Sequence, residues 1–230
     1  MAHVEKHHLH GQVHHDFERP PKELVEAFGR HETAKIADAM GGHGVMHHEI
    51  KPLESSMRCV GTALTVLTRP GDALFVQKAI DLSQPGDVIV IDASGYKDVA
   101  VIGERLAYFF KRMGVVGIVV DGATRDAQGI VDLGPATFTR STCIRIFGSA
   151  GPGAINVPIQ AGGVAVNPGD IVVGDRDGVV VVPRLDAQRV LELADAHLEG
   201  ELARVAEVEA GASVSDVFGI DQKIGRWSAS

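Results

Sequence analysis

The stretch GVVGIVVDGATRD, residues 114–126, decides how this chain folds. Gly117 to Val120 is a short apolar run without polar alternation, the pattern of a strand covered on both faces. Asp121, Gly122 and Ala123 read as a turn, and Thr124, Arg125 and Asp126 follow at the strand's carboxyl end. Charges delivered by a buried strand must be paired or coordinated. Open α/β sheets place ligands outside the carboxyl ends of their strands. Arg125 and Asp126 are therefore the expected centre of a site for a small anionic substrate and a metal.

Working outward, Gly103 opens a helix through Arg112, with Leu106, Ala107, Phe109 and Phe110 as its core stripe. Val88 to Ile91 (VIVI) precedes it as a doubly buried strand, and Asp92 to Asp98, with Gly95, reads as a loop. Strand, loop, helix and strand at this spacing form a βαβ unit. Residues Pro21 to Met40 look helical, interrupted at Gly29, and Val60 to Leu67 alternates as a strand. Ala73 to Leu82 is an amphipathic helix with Leu74, Ala79 and Ile80 facing in. A short helix is expected over Ala127 to Leu133 and a strand over Ala136 to Arg140. A glycine-rich loop spans Gly148 to Gly153, and strands follow within Val157 to Val166, Ile171 to Gly174 and Val179 to Val182. Leu185 to Ala210 is a long helix. Pro-Gly-Asp occurs at residues 70–72, 85–87 and 168–170. The segments between the copies do not match, so the copies share turn chemistry and are not a repeat. The expected organisation is a His-rich arm (1–20), a single α/β domain (21–211) and a tail (212–230) carrying Trp227.

The chain has 230 residues, 45% of them hydrophobic and only 5% aromatic, which makes the core mostly Val, Ile, Leu and Ala. A net charge of −8 argues against a general nucleic-acid binder. An anionic substrate stays possible because local field matters more than the total. Cys59 and Cys143 belong to no CxxC cluster and read as free buried thiols. No stretch approaches the ~20 apolar residues of a membrane helix, and no signal core opens the chain, so a cytoplasmic protein is expected. The arm carries His3, His7, His8, His10, His14 and His15, and a later loop holds His43, His47 and His48; both read as solvated surface.

The chemistry concentrates in Gly103-Glu104-Arg105-Leu106 and Arg125-Asp126. The amides of Arg105 and Leu106 are unpaired first-turn donors at a helix N-terminus, which attracts carboxylate. Arg125 can grip a carbonyl or carboxylate oxygen, and Asp126 and Glu104 supply the oxygen ligands suited to Mg²⁺ or Mn²⁺. Such a set suits a 2-oxo acid and an enolate. The plain alternative is that Arg125 and Asp126 form a local ion pair and cap a helix starting near Ala127. No nucleotide-binding glycine fingerprint, Walker loop or GxSxG is present.

The chain resembles the class II pyruvate aldolases that cleave 4-hydroxy-4-methyl-2-oxoglutarate or 4-carboxy-4-hydroxy-2-oxoadipate, a family similar to the regulators of ribonuclease E activity. The resemblance runs from about Thr33 to Gly211. It is carried by Ala37-Asp38-Ala39, Gly61-Thr62-Ala63, PGDVIVID (85–92), Gly103-Glu104 with Leu106-Ala107, residues 114–126, INVPIQAGGVAVNPGDIVVGDRDGVVVVP (155–183) and the closing helix. It implies an α/β fold: a layered αββα sandwich with a mixed central sheet, βαβ units and a long C-terminal helix. It implies a lyase that releases pyruvate and also decarboxylates oxaloacetate, with Mg²⁺ or Mn²⁺ held by Asp126 and, through water, by Glu104. It puts Arg125 on the substrate carbonyl and the amides of Arg105 and Leu106, next to Gly103, on the pyruvyl carboxylate. Counting back from Gly211 puts Glu201 of a neighbouring subunit on the metal's water, in a homotrimer or hexamer. A non-catalytic regulator that binds a ribonuclease or other protein is the alternative. Two departures stand out: Gly129 replaces an acidic residue, and Arg105 replaces an apolar one.

Overall fold

Residues 11–228 are described by a computed structural model. In chain order the elements are α1 (Lys22–Ala27), a 3₁₀ turn (Phe28–Arg30), α2 (Thr33–Ala39), β1 (Lys51–Pro52), β2 (Cys59–Thr68), α3 (Leu74–Ile80), β3 (Asp87–Ile102), α4 (Glu104–Arg112), β4 (Gly117–Thr124) and α5 (Ala127–Leu133). Then come β5 (Ala136–Thr142), β6 (Gly153–Ile155), β7 (Ile159–Ala161), β8 (Val164–Val166), β9 (Ile171–Asp175), β10 (Gly178–Val182), α6 (Ala187–Glu209), α7 (Val214–Phe218) and α8 (Ile220–Ser228).

The mixed sheet runs β1-β5-β4-β3-β2-β9-β10, with β6 alongside β2. Strands β2 to β5 are parallel, and β9 and β10 are antiparallel additions. The continuous apolar run of β3 feeds two cores at once. Val88 and Val90 point inward with Val119, Phe138 and Val172, while Ile89 and Ile91 point outward onto α3 and α4. The sheet curls until its far strands meet: a Cβ on Gly174 of β9 would lie 2.5 Å from the Phe138 ring of β5, so glycine there lets the ring close the interior. Helices α1, α2 and α6 cover the outer face of β9 and β10 through Val25, Phe28, Ile36, Val190 and Leu191. The layers are thus helix, sheet wall, sheet wall and helix, as the αββα expectation has it.

Several local expectations shift. Asp121 to Ala123 stay in β4 instead of turning, and β3 does not end at Asp92. Between Asp92 and Ile102 it makes ten steps while its partner β4 makes only three, from Asp121 to Thr124. The surplus is thrown out in an excursion through Ser94 (φ 58°) and Gly95 (φ 68°), both left-handed. Leu74 (39% exposed) and Phe109 (41%) are not core residues; Val76 and Ala79, and Leu106, Ala107 and Phe110, make the buried stripes. Val157 to Val166 folds as the β7–β8 hairpin. Cys59 is buried, which pushes its thiol up to about 12, whereas Cys143 is only half-buried; both are free. The expected tail is helical: Ser213 Oγ accepts from the Asp216 amide at 3.0 Å to start α7.

Part of the expected arm is docked. Gln12 O accepts from the Ile155 amide at 2.9 Å, and the His14 amide donates to Ile155 O at 3.2 Å. His3, His7, His8 and His10 lie outside the described residues. The three Pro-Gly-Asp turns share one geometry: the Asp amides of Asp72, Asp87 and Asp170 donate to Arg69, Gln84 and Asn167 carbonyls at 3.2, 3.1 and 3.1 Å. Their glycines are at φ 71°, 90° and 92°, as a turn with proline second and glycine third requires. Among the described residues, no helix is long and apolar enough to cross a membrane.

Candidate functional site

The tips of β3 and β4 are tied together where the Arg125 amide donates to Ile102 O at 3.0 Å. The next residue along β3, Gly103, starts α4 in extended conformation. A Cβ at Gly103 would stand 2.6 Å from Asp126 Oδ2 and 3.0 Å from Arg125 Cγ. Glycine is what allows the acid and the arginine to close over the start of the helix. No side chain caps α4, so the amides of Glu104 and Arg105 keep no capping partner. The Leu106 amide differs from expectation: it donates to Gly103 O at 3.1 Å, so a ligand would have to share it. Its side chain is buried in the core at 4% exposure.

Asp126 adopts a left-handed backbone (φ 56°, ψ 41°), a conformation that costs about 1 kcal/mol and that Asp tolerates better than most residues. Its carboxylate does not cap α5. It meets Arg125 Nε at 3.2 Å and stays 43% exposed. The simple alternative is therefore half present: the ion pair forms, the cap does not. Glu104 packs across to α5, where a Cβ on Gly129 would lie 2.5 Å from its carboxyl. Gly129, without a side chain, leaves the space that Glu104 fills.

Arg125 and Asp126 open into a cleft of about 280 Å³ with Gly103, Arg105, Leu106, Ile146 and Phe147. It adjoins a second cleft of about 250 Å³, which shares Arg105, Arg125, Ile146 and Phe147 and adds Gln77, Gly148 and Ser149. The Phe147 ring lies 5.5 Å from the Arg125 guanidinium carbon, a cation–π contact that steadies the arginine. The loop carrying Phe147 and Ser149 is pinned by Asp72, which accepts from the Ala150 and Gly151 amides at 2.8 and 3.0 Å. Burial pushes the Asp72 carboxyl up, but these amides, that of Leu74 and Arg69 outweigh it and hold the group below its ordinary value. A larger hollow of about 530 Å³ lies beside Arg19, Val60 and Val116. Its buried acid, Asp87, is already gripped by Arg19 at 3.1 and 3.0 Å.

The structure thus brings Gly103, Arg105, Leu106, Arg125 and Asp126 together around one cleft, while Glu104, next to Gly103 in the chain, holds its carboxyl against Gly129 of α5 and is not part of the cleft lining. Within one chain it does not bring Glu201 to them: Glu201 pairs with Lys35 of α2, whose ammonium holds the carboxyl below its usual range. Sequence reasoning missed Phe147, Gln77 and Ser149, which carry no motif and arrive from a loop and from α3. Among the described residues, no group of three or more His, Cys, Asp or Glu side chains converges as a ready-made metal cage. His47 and His48 stack on each other at 4.4 Å between ring centres. Asp126 beside Gly103 and the exposed Glu104 beside Gly129 supply oxygens that fit a hard cation keeping most of its own water, as Mg²⁺ does.

Comparison with known proteins places this arrangement in context. Residues 33–181 match the RraA-like family, described as Aldolase/RraA. A Halalkalibacterium halodurans protein provisionally named a 4-hydroxy-4-methyl-2-oxoglutarate aldolase is 41% identical over 182 residues, 79% of this chain and 87% of its own. An uncharacterized protein from Pseudomonas syringae pv. tomato has a TM-score of 0.74 at 28% identity, over 87% of this chain and 99% of its own. RraAS2 of Streptomyces coelicolor, described as an unusual member of the RNase ES inhibitor RraA protein family, has a TM-score of 0.73 at 33% identity. It is matched over 82% of this chain and 100% of its own. On this match across most of the domain, the chain belongs to the RraA-like, Aldolase/RraA family.

Proposed function

We propose that the chain is a divalent-metal-dependent lyase that cleaves a 4-hydroxy-2-oxo acid to pyruvate and a second carbonyl compound, and that decarboxylates oxaloacetate at the same site. One observation carries the proposal: Gly103 lets Arg125 and Asp126 close over uncapped helix amides, which sets donors, a cation and a carboxylate around one small cleft.

Asp126, and Glu104 through water, would hold Mg²⁺ or Mn²⁺, which supplies positive charge to a developing oxyanion. The amides at the start of α4 orient the pyruvyl carboxylate. Arg125 donates to the 2-oxo oxygen, so negative charge building there meets a fixed guanidinium. In the aldol cleavage the C3–C4 bond breaks and its electron pair enters the pyruvyl half as an enolate. The 4-hydroxyl loses its proton as the departing half becomes a carbonyl, and C3 regains a proton to give pyruvate. In oxaloacetate the same enolate forms as CO₂ leaves. Glu201 of a second subunit is proposed to complete the site in a homotrimer or hexamer. The Streptomyces relative supports the other reading, a regulator acting on a protein partner.

A coupled pyruvate assay separates the two. Purified protein should release pyruvate from 4-hydroxy-4-methyl-2-oxoglutarate and from oxaloacetate, lose the activity in EDTA and regain it with Mg²⁺ or Mn²⁺. No pyruvate from either substrate with either metal rejects the lyase in favour of the regulator.

A further inference from the structure

We infer that helix α8 of one copy of this chain docks in the hollow of about 530 Å³ on a second copy, with the Trp227 indole on the Thr62 hydroxyl. The tail has helices but no core. Among the described residues, none after Ala194 is buried. The Phe218 ring holds α7 to α6, 5.6 Å from the Arg204 guanidinium carbon, and α8 packs on α7. A helix of nine residues is marginal in water, and helices draw most of their stability from a buried face. Helix α8 has such a face: Ile220, Ile224 and Trp227 recur at spacings of four and three. Ile224 is 60% exposed and Trp227 84%. All three lie beyond residues 33–181, the stretch that matches the family, so this face is an addition to the matched part.

The hollow is the complementary defect. It opens over the first residues of β2, between α1 and the turn after α4, with Val25, Val60, Pro85 and Val116 as apolar walls. It shares no residue with the two clefts at the carboxyl ends of β3 and β4, so filling it leaves them open. Thr62 lines the hollow at 6% exposure, and its hydroxyl makes no hydrogen bond with any described residue. A buried indole N–H is a donor that needs an acceptor, and the Thr62 oxygen supplies one.

Charge favours a second copy. Lys223 and Arg226 against Asp221 leave α8 with one positive charge, in a chain of net charge −8. Lys223 flanks the stripe, and Glu26 stands on the rim of the hollow, paired only with Lys22 at 3.4 Å. The same net charge repels an anionic membrane. The chain's own tail heads elsewhere. Helix α6 meets Arg30 through Asp195 and then Lys35 through Glu201, so it advances away from the α1 residues that line the hollow. Tail and hollow are different surfaces, so the contact is head-to-tail, the kind that closes into a ring.

Trp227 is the only tryptophan, so intrinsic fluorescence reads the tail alone. In the full-length protein its emission should lie at the short-wavelength end and resist acrylamide. Val116→Arg, at a 36% exposed position, fills the mouth of the hollow and repels α8. It should move the emission to longer wavelength and raise quenching severalfold. Thr62→Val keeps the shape, removes the acceptor and should give a smaller shift in the same direction. Val116→Arg copies co-expressed with Trp227→Ala copies should recover part of the short-wavelength emission, because an intact hollow then sits on the copies without tryptophan. Long-wavelength emission from the unsubstituted protein, or emission that neither hollow variant moves, overturns the inference. No recovery in the mixed protein rejects a second copy as the occupant. A short-wavelength shift that needs phosphatidylglycerol vesicles rejects the hollow and assigns the tail to a membrane.

Discussion

Two Arg–Asp pairs sit in this molecule and behave in opposite ways. Arg19 and Asp87 meet at the amino end of β3, with the acid 1% exposed, two arginine contacts at 3.1 and 3.0 Å, and the Gln84 amide at 2.8 Å. Every oxygen of that carboxylate is occupied, and the pair ties the segment before α1 to the sheet. Arg125 and Asp126 meet at the carboxyl end of β4 through one contact at 3.2 Å, on a left-handed backbone, with both side chains open to solvent. The first pair has spent its hydrogen-bonding capacity on the fold, while the second has kept most of its own. Residue type does not separate a charge pair built into the fold from one left open to a ligand; the number of unoccupied oxygens and N–H groups does.

The contrast can be broken most directly at Arg125. Arg125→Ala should lower pyruvate formation about 10³-fold in the coupled assay, the scale of losing one oxyanion donor. Its melting temperature should stay within about 2 °C, because little of the fold rests on that side chain. Arg19→Ala should do the reverse. Stranding a buried carboxylate costs about 3 kcal/mol, or roughly 6–12 °C in a thermal melt for a chain of this size, with kcat/KM per folded molecule unchanged.

A milder test lies at Gly129. Alanine there should favour helix α5 by about 0.5–1 kcal/mol. The new methyl group claims the place of the Glu104 carboxyl, so activity should drop about tenfold and more Mg²⁺ should be needed. A melt and a Mg²⁺ titration on the same sample then move in opposite directions. The smallest effect is at Asp92, a half-buried acid within β3 whose carboxyl accepts from the Ser94 amide at 2.9 Å. Burial, then the neighbouring Asp121 charge, pushes its carboxyl above the ordinary range. A raised folded pKa means that stability is full below the unfolded value near 4 and declines as pH rises through the folded one. Asp92→Asn does not titrate, so it should melt about 2 °C higher at pH 7, with the gap closing as pH falls toward 4.

The parts legible in the sequence are those set by local pattern. VIVI, the 114–126 stretch and the Leu106–Ala107–Phe110 stripe show their strands and helix because periodicity and burial agree there. The meeting of Arg125 and Asp126 with Gly103 is legible because a strand tip and a helix start place these residues at one end of a βαβ unit. What stayed hidden depends on distance along the chain. The β3 excursion reads as a loop because of Gly95, yet Tyr96, Ala100 and Ile102 still pair with β4. Phe109 looks as apolar as Phe110, but one step of about 100° around the helix turns it to solvent. Phe147 and Ser149 reach the cleft because Gly71, Asp72 and Ala73, more than seventy residues earlier, hold their loop; no spacing rule encodes that. The left-handed Asp126 left no trace in the sequence, since Asp is also common in plain turns.

The meeting of Phe138 with Gly174 has a consequence for synthesis on the ribosome. Strand β2 takes β3 on one side and, on the other, β6 at its far end and β9 along Cys59–Thr62, so that part of its second edge waits for residues made more than a hundred positions later. Until β9 emerges, Phe138 and the inward valines of β3 and β4 face water, and β2 shows an open hydrogen-bonding edge. A nascent chain halted before residue 171 carries the cleft-forming residues but an unsealed interior. Such stalled fragments should aggregate or engage chaperones, and the protein becomes a finished object only when its last strands are delivered.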